Sequence, residues 1–291
     1  MEHKVFAQLY SIVRQEREGH LAALRALSEI GYDGVELLGN NTNGLDYEGY
    51  RDLLRELGLR VLSSHNLHTE EDYAFAAGLG AKYDVLPGCD ALRDRGELER
   101  VCEGWNETGR KLSEYGMKAV IHNHGEEFCK LDAAEDSERI YDFLLRNTDP
   151  ALVGFELDVG WAVRAGVDPV AYLRGHAGRF PLIHVKECDS VADSFEALEH
   201  FPHRVLEMGE PSIVNGVPYF SEAQKRLLDE SRRWNVALGT GIVNFPAIVA
   251  AAEEQGCEAY ISERESYFLS EVPDGDPVKC AALDYRYLRA L

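Results

Sequence analysis

The chain has little that would support a disulfide framework. Its six cysteines (Cys89, Cys102, Cys129, Cys188, Cys257 and Cys280) include no C-x-x-C pair, so neither a stapled scaffold nor a thiolate zinc cluster is expected, and reduced, mostly buried thiols are the natural reading. No run approaches the roughly 18 apolar residues of a membrane span. The opening MEHKVFAQLY lacks a basic leader, a long apolar stretch and a small-residue cleavage site, which predicts a cytoplasmic protein with no membrane partner. Basic residues are scarce: 30 Lys and Arg against 51 Asp and Glu leave a formal charge of -21. That field repels phosphate backbones and argues against nucleic acid as a partner. No Ser/Gly-rich linker or break in composition divides the 291 residues, so a single domain over 1–291 is expected, and a 45% hydrophobic share is enough to give it one large core.

What the chain does have is a recurring unit: a helical stretch closing at a glycine, then a β-rich run. It appears as IGYDGVELL from Ile30, LGLRVLSSH from Leu57, LGAKYDVL from Leu79, YGMKAVIHNH from Tyr115 and QGCEAYISE from Gln255. Gly31, Gly58, Gly80, Gly116 and Gly256 each stand where a helix ends in a left-handed residue. Helix-period segments lie between, among them HLAALRALSEI (20–30), YEGYRDLLRELG (47–58), ELERVCEGWNETGRKLSEYG (97–116) and DSERIYDFLLRN (136–147). Alternating strands and helices imply parallel strands, because parallel neighbours need a crossover. With VFAQL (5–9), LVGFELD (152–158) and PLIHVK (181–186) the units number eight, which predicts an α/β fold closed into a barrel. Residues 187–238 form a long insertion after the seventh strand, holding FPHRVLEMGEPSIVNGVPYF and SEAQKRLLDESRRW. Such a loop falls on the face where barrels keep their active sites, and it is expected to act as a lid or as a contact in a homo-oligomer.

Polar residues gather at the strand ends. Gln8 and Tyr10 end the first strand, Glu36 lies in the second and His65 ends the third; His122 and His124 end the fifth, Glu156 and Asp158 the sixth, His184 and Lys186 the seventh, and Glu263 and Glu265 the eighth. At a side-chain period of two, each of the last four pairs shares a face. Facing inward, they would bring carboxylates and imidazoles together on the barrel axis, where buried charge is costly unless paired or bound to a metal. A mixed oxygen and nitrogen set without thiolate points to one divalent cation: manganese, magnesium, cobalt or zinc. Blander readings stand beside this one. Asp158 also fits as a cap for the turn before VGWAVRAG, Lys186 and Glu187 as a solvated strand end, and Glu126 and Glu127 as the start of a loop. GTGIV (239–243) lacks the spacing of a phosphate-binding loop and is expected to be a plain turn. Trp161 fits equally as core or as a flat wall against a sugar ring.

The series AQLYSIVR, GYDGVELL, VLSSHN, HNHGEEF, GFELDVGWAVRAG, IHVKE, GTGIVNF and YISERESY resembles the sugar phosphate isomerase/epimerase superfamily, the xylose-isomerase-like TIM barrels, over nearly all of the chain except the segment around 190–235. The resemblance implies a single (β/α)8 TIM barrel with a long insertion after strand 7. It also implies one divalent metal held by Glu127, Asp158, His184 and Glu263, with Glu127 and Glu263 catalytic and with His65, His122, His124, Trp161 and Lys186 gripping a small sugar substrate. Two departures leave alternatives open. His122 and His124 stand where ketose epimerases carry a strand-embedded glutamate, so they rival Glu127 as first ligand, and the last strand reads E-R-E where many relatives have E-x-D, so Glu265 rivals Glu263. The implied activity is a metal-dependent isomerase or epimerase that removes a proton beside a keto sugar's carbonyl and passes through an enediolate. A lyase of the same superfamily, an inosose dehydratase or 3-keto-glycoside lyase, is the alternative. A DNA-repair endonuclease and a non-catalytic sugar-binding barrel are the more distant ones.

Overall fold

The computed structural model describes residues 4–13, 19–89, 92, 94–132, 137–199, 205, 207–209, 212–214, 217–265 and 276–291. Among the described residues ten strands run in chain order as β1 (Val5–Gln8), β2 (Gly34–Leu38), β3 (Arg60–His65), β4 (Tyr83–Leu86), β5 (Lys118–His122), β6 (Val153–Asp158), β7 (Leu182–Val185), β8 (Ser212–Val214), β9 (Val217–Tyr219) and β10 (Ala259–Ser262). Strands β1 to β7 and β10 pair in parallel with their neighbours, and β10 returns to β1, so the sheet closes into a barrel with no free edge. Helices connect them, as parallel pairing requires. Helices His20–Ile30 and Glu70–Leu79 end at Gly31 and Gly80, whose φ values of 108° and 103° are open to glycine at no steric cost.

Side-chain alternation divides the core in two. On β5, Ala119 and Ile121 join the large cluster between barrel and helices, while Val120 faces the axis; on β7, Ile183 and Val185 face outward and Leu182 inward. The inward set, Phe6, Leu62, Tyr83, Val85, Val120, Leu182, Ala259 and Ile261, is a separate small cluster that fills the barrel. By the same parity His122, Glu156, Asp158, His184, Lys186 and Glu263 point into the barrel above it. The eight-stranded barrel and the shared faces thus stand as the sequence led us to expect.

One irregularity shapes the interior. Val35 lies opposite Val61, but Glu36 lies opposite Ser63, so β3 carries one extra residue, Leu62. Leu62 joins the inner cluster, and Ser63 beside it still turns its hydroxyl to Glu36.

After β7 the expected insertion contains the antiparallel hairpin β8–β9 and the helix Glu222–Ser231, capped reciprocally by Ser221 and Gln224. Val205, Phe220 and Leu228 give it a small core of its own. Residues 200–204, 206, 210, 211, 215 and 216 of this segment, and Ser266 and Tyr267 of YISERESY, lie outside the described residues. Among the described residues no helix is long and apolar enough to cross a membrane.

Candidate active site

Four strands supply one group of ligand atoms. His122 from β5, Asp158 from β6, His184 from β7 and Glu263 just past β10 place one nitrogen or oxygen each within 4.8 Å of one another. Glu263 Oε2 lies 3.1 Å from His184 Nδ1 and accepts from Lys186 Nζ at 2.8 Å. The same ammonium lies 2.9 Å from Glu265 Oε2 and 3.2 Å from Asp158 Oδ2. Asp158 Oδ1 accepts from the Trp161 backbone N–H at 2.9 Å and caps the helix Val159–Arg164. Both readings of Asp158 therefore hold at once, one for each oxygen. Gly160 follows because a Cβ there would sit 2.5 Å from the Lys186 carbonyl oxygen, which accounts for the glycine of D-V-G-W.

Below this group lies a second one. Glu36, His65, Glu156 and His184 also offer ligand atoms within 4.8 Å. Glu36 Oε1 sits 2.8 Å from both His65 Nε2 and His184 Nε2, and its Oε2 accepts from Ser63 Oγ at 2.6 Å. Glu156 Oε2 lies 3.2 Å from His122 Nδ1 and 3.3 Å from His184 Nε2. Sequence reasoning noted Glu36 and Glu156 but gave them no role. The signal was there: each is a charge set inside an apolar run, GVELL and VGFEL.

Burial shapes the protonation of these groups. Glu36 is fully buried, which alone would raise its pKa, yet the rings of His65 and His184 hold it well below the usual range. Glu156 is pushed well above that range by burial and by the Glu36 charge. Burial opposes a charge on His184, but Glu156 and Glu36 outweigh it and raise its pKa. His122, with burial and the charge of His184 acting together, is held well below 6.5. Burial also opposes a charge on Lys186, which Asp158, Glu263 and Glu265 overcome. Glu263 stays ionised because Lys186 and His184 offset its burial.

A divalent cation fits this set. The donors are imidazole nitrogens and carboxylate oxygens, the mixture that suits zinc or manganese. Asp158 Oδ2 and Glu156 Oε1 are buried without a hydrogen bond. Three carboxylates (Asp158, Glu263 and Glu265) face two permanent cations, Lys186 and Arg232, and Glu36 lies below them, held ionised. A dication would offset much of that excess negative charge.

Not every expected residue joins the cluster. Glu127 is fully buried, but its carboxylate accepts from the backbone N–H groups of Cys89 at 3.2 Å and His124 at 2.9 Å, and it groups with His124 and Glu126 instead. The short 3-10 turn Glu126–Phe128 carries it away from the axis, and His122 takes the place expected for it. Trp161 is likewise fully buried, with Lys186 Nζ 5.6 Å and the Arg232 guanidinium 5.2 Å from its ring centre. It backs these cations and offers no open face. His124 stands edge-on to both His122 and Trp161. His65 keeps 19% of its side chain exposed, the most of the groups around Glu36 and Glu156.

Two other findings were not legible. Arg232, at the end of the insertion helix, is buried and lies 3.1 Å from Glu265 Oε2. Glu187 is no solvated strand end: it is fully buried, and its carboxylate accepts from Cys188, Gly239 and Val243 backbone N–H groups at 3.0 to 3.1 Å. The GTGIV turn therefore spends the Gly239 and Val243 N–H groups on Glu187.

Residues 24–279 match the model of the xylose isomerase-like TIM barrel family. An inosose dehydratase of Clostridium beijerinckii is 27% identical over 146 residues, which cover 49% of this chain and 43% of that protein, so the match spans less than half of the relative. A sugar phosphate isomerase/epimerase from Parabacteroides distasonis superposes with a TM-score of 0.72 at 23% identity, over 100% of this chain and 94% of that one. A structure of a protein called IOLI, solved with a bound zinc atom, superposes with a TM-score of 0.68 at 12% identity, over 99% and 98% of the two chains. At these identities the two structures show a shared fold. With its closed eight-stranded barrel and a family match over all but the two ends, the chain belongs to the xylose isomerase-like TIM barrel family.

Proposed function

We propose that this protein is a divalent-metal-dependent enzyme that removes a proton next to the carbonyl of a keto sugar or inosose and then expels a neighbouring hydroxyl, as a lyase. The observation that carries this reading is the convergence of His122, Asp158, His184 and Glu263 at the C-terminal mouth of the barrel, beside the buried ammonium of Lys186. Those four residues would hold the metal, which when bound would polarise the substrate carbonyl as a Lewis acid.

The chain's own groups divide the remaining work. Glu263, held ionised by Lys186 and His184, is the base for the carbon-bound proton. His65, the more exposed imidazole, is the acid of this reading and protonates the departing hydroxyl. A general base contributes about 10²- to 10⁴-fold, well short of the at least about 8 kcal/mol by which enzymes lower barriers, so charge stabilisation must supply the rest.

The isomerase or epimerase expected from the sequence shares the first step, and the epimerase needs a second acid on the opposite face of the carbon. Glu127, the second carboxylate assigned to it, is bound to backbone N–H groups away from the cluster. That position, with the similarity to a protein named inosose dehydratase, favours elimination.

Incubating the zinc- or manganese-loaded protein in heavy water with a panel of inososes and keto sugars tests this. Loss of water with formation of an unsaturated ketone supports the lyase. Deuterium in a recovered epimer or isomer supports the alternative. Metal bound with neither outcome on any member of the panel overturns both.

A further inference from the structure

We propose that Glu36 and Glu156 are positioning residues that fix opposite tautomers on His122 and His184, leaving Nε2 of His122 and Nδ1 of His184 bare toward a divalent cation. The inference rests on the metal reading given above and extends it to two residues that are not themselves assigned as ligands.

Each ring lies between a carboxylate of the upper group and the carboxylates of the floor. His122 turns Nδ1 to Glu156 Oε2 at 3.2 Å and Nε2 toward Asp158 Oδ2 at 3.9 Å. His184 turns Nε2 to Glu36 Oε1 at 2.8 Å and to Glu156 Oε2 at 3.3 Å, and Nδ1 to Glu263 Oε2 at 3.1 Å. An imidazole that gives one lone pair to a metal keeps a single N–H, on its other nitrogen. With Glu36 and Glu156 at that other nitrogen, each ring turns its hydrogen to the floor. The opposite nitrogen of a neutral ring then aims its lone pair at Asp158 or Glu263, an arrangement that holds only with a cation between them.

The floor is built to keep this orientation. Glu36 and Glu156 are both 0% exposed, so water does not compete for the N–H groups. Glu36 is itself oriented by the Ser63 hydroxyl and by His65. Histidine ligands that donate their far N–H to a carboxylate bind metal more tightly, and loss of that carboxylate usually weakens binding about 10- to 100-fold.

Two measurements test the inference. The first is zinc affinity of the purified full chain by competition with a chromophoric chelator, for the wild type, Glu36→Gln and Glu156→Gln, each checked for native circular dichroism. The expected result is binding weakened about 10- to 100-fold in both variants. The second, which needs no variant to fold, is nitrogen-15 NMR of zinc-loaded wild type labelled at histidine. His122 should be protonated at Nδ1 and zinc-bound at Nε2, and His184 the reverse. Equal zinc affinity in all three proteins, or the same tautomer on both rings, overturns the inference while leaving the metal reading in place. Wild type that binds no zinc overturns both together.

Discussion

At Glu263 two groups compete for one oxygen: the Lys186 ammonium at 2.8 Å and the His184 ring at 3.1 Å. Glu263→Gln keeps the volume and a hydrogen-bonding head but removes the charge proposed to accept the proton. We expect turnover to fall by at least about 10²-fold, with circular dichroism and thermal unfolding close to wild type; turnover at the wild-type rate would remove Glu263 from the chemistry. Glu127→Gln gives the contrasting result. Its carboxylate serves the Cys89 and His124 backbone N–H groups, so the expected loss is in stability, read by urea unfolding, and smaller in turnover than for Glu263→Gln. The cluster residues Asp158, His184 and Glu263 were legible in the sequence because each occupies a strand-end position whose face follows from a period of two. Glu127 misled because it lies beyond the strand, where period gives no direction and a 3-10 turn decides. The link from Glu36 to His184 joins β2 to β7 across the barrel, and no local pattern records a contact of that kind.

Elements carry these residues to their places, and the chain just past the last strand is tied to the outer helices by a buried ion pair. Arg264, between Glu263 and Glu265, points outward and pairs through Nε and a terminal nitrogen with Asp284 of the helix Pro277–Leu288; the Nε contact is 2.7 Å. Both side chains are about 3% exposed. Breaking a buried pair from one side leaves an uncompensated charge, at a cost of about 3–5 kcal/mol, whereas replacing both partners with apolar residues is often close to neutral. Arg264→Met should accordingly lower the unfolding free energy by that amount in urea titrations, and Arg264→Met with Asp284→Leu should recover most of it. If the single variant loses nothing, the pair does not anchor the strand end. The strands and their order were legible from glycine-terminated helices and alternating runs. Arg232 was not, because an arginine at the end of an amphipathic helix ordinarily reads as solvated, and only the fold of the insertion carries it to Glu265.

For the molecule as a whole, two buried groups far from the site set opposite limits on stability with pH. Burial lowers the His20 pKa from 6.5 to about 4. Below pH 6.5 the unfolded chain therefore takes up a proton that the folded chain refuses, and stability falls as pH drops from about 6.5 to about 4. Asp84 works in the other direction. Burial raises its pKa from 3.8 to about 8, against the pull of the Leu67 backbone N–H. The folded chain keeps a proton that the unfolded chain has lost, so stability falls as pH rises from 3.8 to about 8. Asp84→Asn should remove that loss: its unfolding free energy relative to wild type, read by urea titration, should climb between pH 4 and pH 8 and then level off, with a slope of at most about 1.4 kcal/mol per pH unit. A constant difference across that range would show that Asp84 ionises freely in the folded state. The extra residue at Leu62 acts at the same scale, since a closed barrel has no loose edge to absorb a miscount. Were β3 to pair without the bulge while keeping all its residues, Ser63 and His65 would turn from the lumen to the helical shell, whereas deleting Leu62 would leave both facing Glu36 and cost the inner cluster one side chain.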